Sequence, residues 1–299
     1  MIFDTDIGND VDDALALAMI HALENRGEAK LLGVTVTKDN RYAAPYVDLV
    51  NTFYRRGELP IGMVKNGKTP EDSKMIRVPA ERQRADGSFL YPHDLVDGRE
   101  APEAVAVLRK ILEAEKDGSV TVVQVGFSTN LARLLDSRGH DLVKRKVRLL
   151  SLMGGSFVNG KPEYNIKTDI PAARKIFAEW PTPIVASGFE IGLAIKYPAS
   201  SIEKDFRWTE HHPVVDAYRN YKTMPYDRET WDLTSVLYAV RPARNYFSLS
   251  PEGEITVDGQ GRTHFTEKPG GRRRYLRATP EQGQQALKAM IELASSRPL

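Results

Sequence analysis

Five aspartates crowd the stretch Asp4-Thr5-Asp6-Ile7-Gly8-Asn9-Asp10-Val11-Asp12-Asp13 near the start of the chain. Ile2-Phe3 before it predict a strand, and the apolar run after it predicts a helix to about Asn25. Like charges at this spacing repel one another, and a divalent cation relieves the repulsion by binding several carboxylate oxygens. Capping of the predicted helix is the alternative, but it accounts for only one or two acids. The stretch therefore favours a metal site.

Outward from this stretch, apolar runs and turn residues predict alternating strands and helices. The predicted strands cover residues 31–36, 61–64, 120–125, 147–153 and 184–187, and the predicted helices cover 12–25, 43–54, 102–115, a segment from about 128, and 169–179. This alternation predicts an α/β fold, with a mostly parallel central sheet flanked by helices in a single Rossmann-like domain over residues 1–299. A small antiparallel addition is predicted near the C-terminus. Ligands bind beyond the carboxyl ends of such strands, which is where the acidic stretch lies.

Two segments have weaker patterns. Residues 65–99 show little periodicity, which predicts either a lid over an active site or an irregular excursion. The basic run at 272–274 follows two glycines and is predicted to be a solvated hairpin tip.

The composition excludes several functional classes. A net charge of +2 lacks the basic excess that a nucleic-acid surface needs. The absence of cysteine excludes disulfides, zinc–thiolate sites and thiol nucleophiles. No apolar run is long enough for a membrane span. The cytoplasm is the default compartment, and a removed leader peptide is the alternative.

Further motifs follow the acidic stretch in a fixed order. They are Gly33-Val34-Thr35-Val36 with Asn40, Val125-Gly126-Phe127-Ser128-Thr129-Asn130, Met153-Gly154-Gly155, Glu163-Tyr164-Asn165, Asp169-Ile170-Pro171-Ala172-Ala173, and Asp232. The acidic stretch alone also fits a response-regulator or phosphatase pocket, but the ordered set, over roughly the first 240 residues, resembles the inosine–uridine-preferring nucleoside hydrolase family. The resemblance implies that family's fold, a small-molecule nucleoside substrate, and a homodimer or homotetramer.

The resemblance also implies a calcium site. Its ligands would be the carboxylates of Asp6, Asp13 and Asp232 and the backbone carbonyl of Val125. Calcium would hold the attacking water and two sugar hydroxyls, with Asp6 as the general base, because a carboxylate beside a metal can take the proton of the acidified water. The choice of calcium over magnesium rests on the resemblance, since both bind the same oxygen ligands.

The ribose-binding residues implied by the resemblance are Asp12, Asn40, Asn159, Glu163 and Asn165. Several of the implied residues have structural alternatives. Asn40 could shape its own turn, Asn159 forms a common turn pair with the glycine after it, and Asp232 could cap a helix. Asp169 is predicted to be a helix N-cap rather than a site residue.

The sequence departs from the family pattern at two positions. Asp10 is an added acid that could displace a neighbour as a metal ligand. Trp231 precedes Asp232, where inosine–uridine-preferring members carry a histidine that protonates the leaving base, and tryptophan cannot donate a proton in that way. A purine-specific branch also has tryptophan there, and in that branch stacking raises the basicity of the purine. Trp231 is therefore predicted either to stack on the base or to fill the core.

Three more residues are weaker candidates for contact with the base, namely His93, Trp208 and Tyr226. The predicted function is calcium-dependent hydrolysis of the N-glycosidic bond of ribonucleosides, with purines slightly preferred. The alternatives are hydrolysis of another ribosyl compound and a non-catalytic nucleoside or sugar binder. The presence of Asp6 argues against the binder, because binding does not need a general base.

Overall fold

A computed structural model describes residues 1–299 of the protein. The strands are β1 (Ile2–Thr5), β2 (Gly33–Lys38), β3 (Ile61–Lys68), β4 (Val120–Gln124), β5 (Val147–Met153), β6 (Ile184–Ser187), β7 (Lys196–Tyr197), β8 (Arg228–Glu229), β9 (Ser248–Leu249), β10 (Gly253–Val257), β11 (Thr263–Glu267) and β12 (Arg273–Arg277). The helices are α1 (Asp12–Asn25), α2 (Ala43–Phe53), α3 (Lys74–Glu81), α4 (Ala104–Ala114), α5 (Thr129–Leu134), α6 (His140–Lys146), α7 (Tyr164–Thr168), α8 (Ile170–Glu179), α9 (Phe189–Ala194), α10 (Ala199–Lys204), α11 (Pro213–Tyr221), α12 (Trp231–Val240) and α13 (Pro280–Ala294).

One ten-stranded sheet runs through the molecule in the order β11-β10-β12-β6-β5-β4-β1-β2-β3, with β9 paired to β12. All neighbours from β3 to β12 along this order are parallel, while β9, β10 and β11 pair antiparallel. The predicted fold class, a mostly parallel sheet flanked by helices with a small antiparallel addition, is confirmed.

The strand order reverses between β1 and β4, and this reversal positions the site. The chain moves outward from β1 through β2 to β3, then returns to the other side of β1 and continues through β4, β5 and β6. The helices that follow β1 and β4 diverge, which leaves a crevice at the carboxyl ends of these two strands. Asp6 and Val125 are the residues that follow β1 and β4, so both lie at the mouth of this crevice.

Helix α1 explains how acids distant in sequence meet. Its residues 14–20 are all apolar and fully buried, so α1 packs as a core helix against α12 and α13. The contact with α12 brings the first turns of the two helices together. Asp12 and Asp13 begin α1, and Asp232 is the second residue of α12.

Residues 65–99 are more regular than the sequence predicts. Strand β3 extends to Lys68, and helix α3 packs against α2 and α11. The buried face of α3 consists of Met75, Ile76, Pro79 and Ala80. Charged neighbours and a proline in the last turn obscure this helical spacing in the sequence.

The prediction of a solvated hairpin tip at 272–274 is wrong for Arg273. This residue begins β12 and is buried, and its guanidinium donates to the carbonyls of Phe177 (2.8 Å), Trp180 (2.7 Å) and Thr182 (3.1 Å). Burial of a cation is tolerated because these carbonyl oxygens satisfy its donors. Arg273 therefore ties the C-terminal end of α8 to the sheet. None of the helices in the structure has the length and apolarity of a membrane span.

Candidate active site

A cavity of about 330 Å³ opens at the carboxyl ends of β1 and β4. Its walls come from the loops after β1 and β4, the end of β5, the start of β8, helix α7 with the loop before it, and the first turns of α1, α9 and α12. The residues that line it are Asp6, Asn9, Asp10, Asp12, Asp13, Val125, Met153, Pro162, Glu163, Tyr164, Asn165, Lys167, Phe189, Arg228, Trp231 and Asp232. Most of the residues predicted from the sequence are in this set.

Three carboxylates converge at the base of the cavity. Asp12, Asp13 and Asp232 each offer an oxygen within 4.8 Å of the others, and all three are buried. Local hydrogen bonds orient them: the backbone N–H of Asp232 donates to Asp12 Oδ2 at 3.1 Å, and the Thr5 hydroxyl donates to Asp13 Oδ1. The first turns of α1 and α12 thus form one acidic surface.

Burial raises the pKa of Asp12, Asp13 and Asp232 well above the ordinary carboxylate range, and repulsion from neighbouring carboxylates, including Asp6 and Asp10, raises it further. A divalent cation relieves both effects. The donors are oxygen atoms only, which suits a hard ion such as calcium or magnesium rather than zinc or copper. These residues therefore fit a bound divalent metal.

Asp6 lies in the same cavity, outside the group of three. Its Oδ2 accepts a hydrogen bond from the Asn9 amide at 2.9 Å, and Lys38 Nζ donates to the Asn9 carbonyl oxygen at 2.8 Å. Burial raises the pKa of Asp6 to about 7. A divalent cation beside this carboxylate would lower that pKa again. The suitability of Asp6 as a general base therefore rests on its place in the cavity with the converging carboxylates.

A second polar wall comes from the loop before α7 and its first residues. Glu163 is buried and caps α7, accepting the backbone N–H groups of Asn165 (2.9 Å), Ile166 (3.1 Å) and Gly155 (3.2 Å). The Asn165 amide donates to the carbonyl oxygen of Val125 at 2.7 Å. That carbonyl retains a second lone pair for another partner.

Two predicted ribose-binding residues do not reach the cavity. The Asn40 amide donates to the carbonyls of Pro70 (3.1 Å) and Glu71 (3.0 Å), and its oxygen accepts from Tyr42 N. These bonds occupy the side chain, so Asn40 holds its turn against the loop after β3. Asn159 lies exposed at the tip of the loop after β5. As predicted, Asp169 caps α8 through Ala172 N (3.3 Å).

Trp231 and Phe189 form an aromatic wall beside the carboxylates. Their rings stack with centroids 5.5 Å apart, and the indole N–H of Trp231 donates to the Phe189 carbonyl at 2.9 Å. The other aromatic candidates lie elsewhere. Trp208 Nε1 donates to the Ser295 carbonyl, the Tyr226 hydroxyl donates to the Tyr218 carbonyl, and His93 Nδ1 lies 2.7 Å from the Tyr91 carbonyl.

Asp10 pairs with Arg228. The guanidinium donates to both carboxylate oxygens, through Nε to Oδ1 at 2.8 Å and through Nη2 to Oδ2. Bidentate pairing of this kind is among the stronger charged hydrogen bonds. The added acid of the first loop is therefore neutralised by an arginine that comes 218 residues later in the chain.

The family model of inosine-uridine preferring nucleoside hydrolase matches residues 1–293. The chain belongs to this family. It is therefore an N-glycosyl hydrolase with the fold of a nucleoside hydrolase. No curated protein sequence matches this nucleoside hydrolase.

Solved structures share the fold at low sequence identity. An inosine–guanosine nucleoside hydrolase superposes with a TM-score of 0.75 at 18% identity, covering 98% of each chain. An inosine-uridine preferring nucleoside hydrolase from Bacillus anthracis gives 0.74 at 17% identity, covering 98% of each chain. The type III effector XopQ, solved with adenosine diphosphate ribose, gives 0.73 at 18% identity, covering 99% of this chain and 94% of its own.

Sequence reasoning missed several cavity residues of this nucleoside hydrolase, among them Asn9, Tyr164, Phe189 and Arg228. Phe189 and Arg228 belong to no recognisable motif, and only the tertiary fold brings them to the cavity. Asn9 lies within the acidic stretch, where only the aspartates indicate a metal site. Tyr164 is 45% exposed and lies beside the predicted Glu163. Its exposure at a cavity rim is a signal that only the structure provides.

Proposed function

We propose that this nucleoside hydrolase cleaves ribonucleosides to base and ribose in a calcium-dependent reaction, with purine nucleosides preferred. One observation carries the proposal: four buried aspartates, Asp6, Asp12, Asp13 and Asp232, line one cavity at the reversal of the strand order. So much buried negative charge is costly without a cation.

The proposed calcium ligands are Asp6, Asp13, Asp232 and the Val125 carbonyl. A calcium ion held there supplies Lewis acidity, which makes a water molecule easier to deprotonate. Asp6 takes the proton of the attacking water on its Oδ1, because its Oδ2 already accepts the Asn9 amide. The Lys38 ammonium fixes Asn9, so Asp6 is held in one orientation.

Asp12, Glu163 and Asn165 are proposed to bind the ribose. They face the cavity from two sides, and backbone groups fix their side chains. Side chains that are fixed in this way hold the sugar without losing further conformational freedom. The carboxylates of Asp12 and Glu163 also favour the positive charge that develops on the sugar as the bond breaks. Asn40 and Asn159 are left out of the proposed site because neither side chain reaches it.

The preference for purines rests on the wall of Trp231 and Phe189. A flat apolar surface next to the ribose site favours a large aromatic base over a small one. The similarity to the inosine–guanosine nucleoside hydrolase also supports a preference for purine substrates. A different ribosyl compound is the second candidate, because Arg228 places a cation at the same end of the cavity and the similar effector XopQ was solved with adenosine diphosphate ribose.

Incubation of the purified protein with purine and pyrimidine nucleosides, with and without a calcium chelator, tests the proposal. We expect ribose to be released chiefly from purine nucleosides, and the release to stop on chelation and return with calcium. Equal release from uridine would contradict the base preference alone. Release that survives chelation would contradict the metal site, and no release from any nucleoside would favour another ribosyl substrate.

Stability should depend on calcium more strongly at higher pH. Burial raises the folded-state pKa of Asp6 to about 7 and those of Asp12, Asp13 and Asp232 above their ordinary range. Each of these groups ionises near pH 4 in the unfolded chain but only near its raised pKa in the chelated folded protein. The chelated protein therefore loses stability as pH rises from about 4 to the raised pKa of each group, which is about 7 for Asp6. Calcium offsets the repulsion between the ionised carboxylates, so the calcium-loaded protein loses less stability over the same pH range.

The measurement is the difference in Tm between loaded and chelated protein at each pH. We expect this difference to widen as pH rises. The buried histidines titrate equally in both samples, so their contributions cancel. If the difference in Tm stayed constant across the pH range, repulsion among the four ionised carboxylates would not be what calcium relieves.

A further inference from the structure

The base-binding end of the cavity has no histidine to protonate a leaving group. The indole N–H of Trp231 is committed to the Phe189 carbonyl, and tryptophan does not release this proton. The amides of Asn9 and Asn165 are also committed, to Asp6 and Thr69 and to Val125 and Met153 respectively. Breaking the glycosidic bond nevertheless sends an electron pair to the base, and a fixed hydrogen-bond donor at this end would stabilise that pair.

Arg228 is the cation fixed at this end. Its guanidinium carbon lies 5.1 Å from the centre of the Trp231 ring and 5.2 Å from that of Tyr221, and its side chain is 12% exposed. Two donors bind Asp10, and Nη1 donates to Glu229 at 3.1 Å. A guanidinium has five N–H donors, so two remain uncommitted beside the cavity.

Lys167 is the other cation that lines the cavity, and it is less suited to the role. It is exposed, and its ammonium lies 5.7 Å from the centre of the Tyr164 ring, outside the Trp231 and Phe189 wall. A flexible exposed ammonium loses more freedom on binding than a guanidinium already held in a bidentate pair. Arg228 therefore has the better geometry for an aromatic leaving group.

We propose that Arg228 activates the leaving base by donating a hydrogen bond to it as negative charge develops, in place of the acid that this cavity lacks. This inference rests on the proposed nucleoside hydrolysis. Arg228 does not give up its proton, because its guanidinium stays charged throughout the ordinary pH range. It acts as a fixed electrostatic donor, like the donors of an oxyanion hole.

The reaction balances without further reactants. The bond between C1′ of the ribose and the base nitrogen breaks, and its electron pair stays on the base, which Arg228 stabilises as an anion. Water oxygen bonds to C1′, and its proton goes to Asp6. Asp6 returns that proton to solvent and the departed base takes one from solvent, so the net change is hydrolysis.

The same inference gives Asp10 a role. Its two oxygens hold the guanidinium in one plane, so that the uncommitted donors keep one direction. Asp10 is therefore a positioning residue that acts through Arg228. This accounts for an added acid that is paired with a cation rather than free for the metal.

Two substrates with different leaving groups separate this role from a structural one. Inosine loses a poor leaving group, whereas 4-nitrophenyl β-D-riboside loses a phenolate that is stable without help. For Arg228→Gln we expect kcat on inosine to fall by roughly 10²- to 10³-fold, the loss typical of one oxyanion-hole donor, and kcat on the nitrophenyl riboside to change by only about threefold. Asp10→Asn should show the same selectivity with a smaller loss on inosine.

Controls cover folding and the metal. Arg219→Gln makes the same change on an exposed arginine outside this cavity and should leave both rates unchanged. The calcium concentration that gives half-maximal activity should be the same in Arg228→Gln as in the wild type. Added guanidinium ions should restore inosine hydrolysis to Arg228→Ala. If Arg228→Gln fails to fold, Arg228→Lys replaces it, with an intermediate loss on inosine alone.

Equal losses on both substrates, or no loss on either, would overturn the role of Arg228 while leaving the proposed hydrolysis intact. If the wild type cleaved neither substrate, the proposed function would fail and the role of Arg228 would fail with it.

Discussion

Asp6→Asn is expected to abolish turnover while the protein still folds and binds nucleoside. Asparagine has the same size and its side-chain oxygen can still accept the Asn9 amide, so the loop after β1 keeps its shape. It cannot take a proton from water, and it removes one of the proposed calcium ligands. We expect kcat to fall by about 10³- to 10⁴-fold, the upper part of the range for a general base, because both functions are lost together.

The measurement is kcat for inosine at saturating calcium, with nucleoside binding followed by calorimetry. The matched control is Asp141→Asn, since the Asp141 side chain is 99% exposed and outside the cavity, and it should retain full activity. If Asp6→Asn kept more than about a tenth of the wild-type kcat, a group other than Asp6 would be the general base. Failure to bind nucleoside at all would show that Asp6 serves chiefly to assemble the site.

The parts of the site that the sequence predicts are local or depend on strand order. Asp6 and Asp13 flank one strand–helix junction, and Val125 follows a strand predicted to within one residue. Asp232 lies far along the chain, but it begins an apolar helix that must pack in the core. These positions follow from hydrophobic patterning and from the rule that ligands bind at the carboxyl ends of parallel strands.

The parts that the sequence does not predict depend on tertiary contacts between polar groups. No spacing rule connects Asp10 with Arg228, and only the fold shows that the added acid is neutralised. Asn40 has the residue type of a sugar ligand, yet two loop carbonyls take its donors. Arg273 is in a basic run that looks solvated until three carbonyls are found around it. Hydrogen-bond partners of this kind are specific to each structure, so residue type alone does not reveal them.

The structure groups the aspartates of the acidic cluster differently from the family resemblance. The family resemblance assigns Asp12 to the ribose and Asp6 to the metal, whereas the three carboxylates that converge are those of Asp12, Asp13 and Asp232. Asp12 uses Oδ2 to accept the backbone N–H of Asp232, which leaves Oδ1 for either role. The two aspartates that begin α1 therefore need a test that separates metal affinity from sugar affinity.

Asp13→Asn and Asp12→Asn are expected to fail in different ways. Asp13 is proposed to bind calcium directly, and its loss should raise half-saturating calcium by about 100-fold or more, exceeding the 10- to 100-fold typical of a lost outer partner. Asp12 is proposed to bind sugar hydroxyls, and the loss of a charged hydrogen bond should raise KM for inosine by about 10- to 100-fold. Its half-saturating calcium should change by no more than about threefold.

Calcium titrations of activity and of Tm measure the first quantity, and KM at saturating calcium measures the second. The two variants are matched controls for each other, because each removes one charge from adjacent buried positions in the first turn of α1. If both raised half-saturating calcium equally, Asp12 would be a metal ligand. The converging carboxylates would then be the complete side-chain ligand set, and Asp6 would keep only the role of general base. If neither did so, the metal would lie closer to Asp6 and Val125.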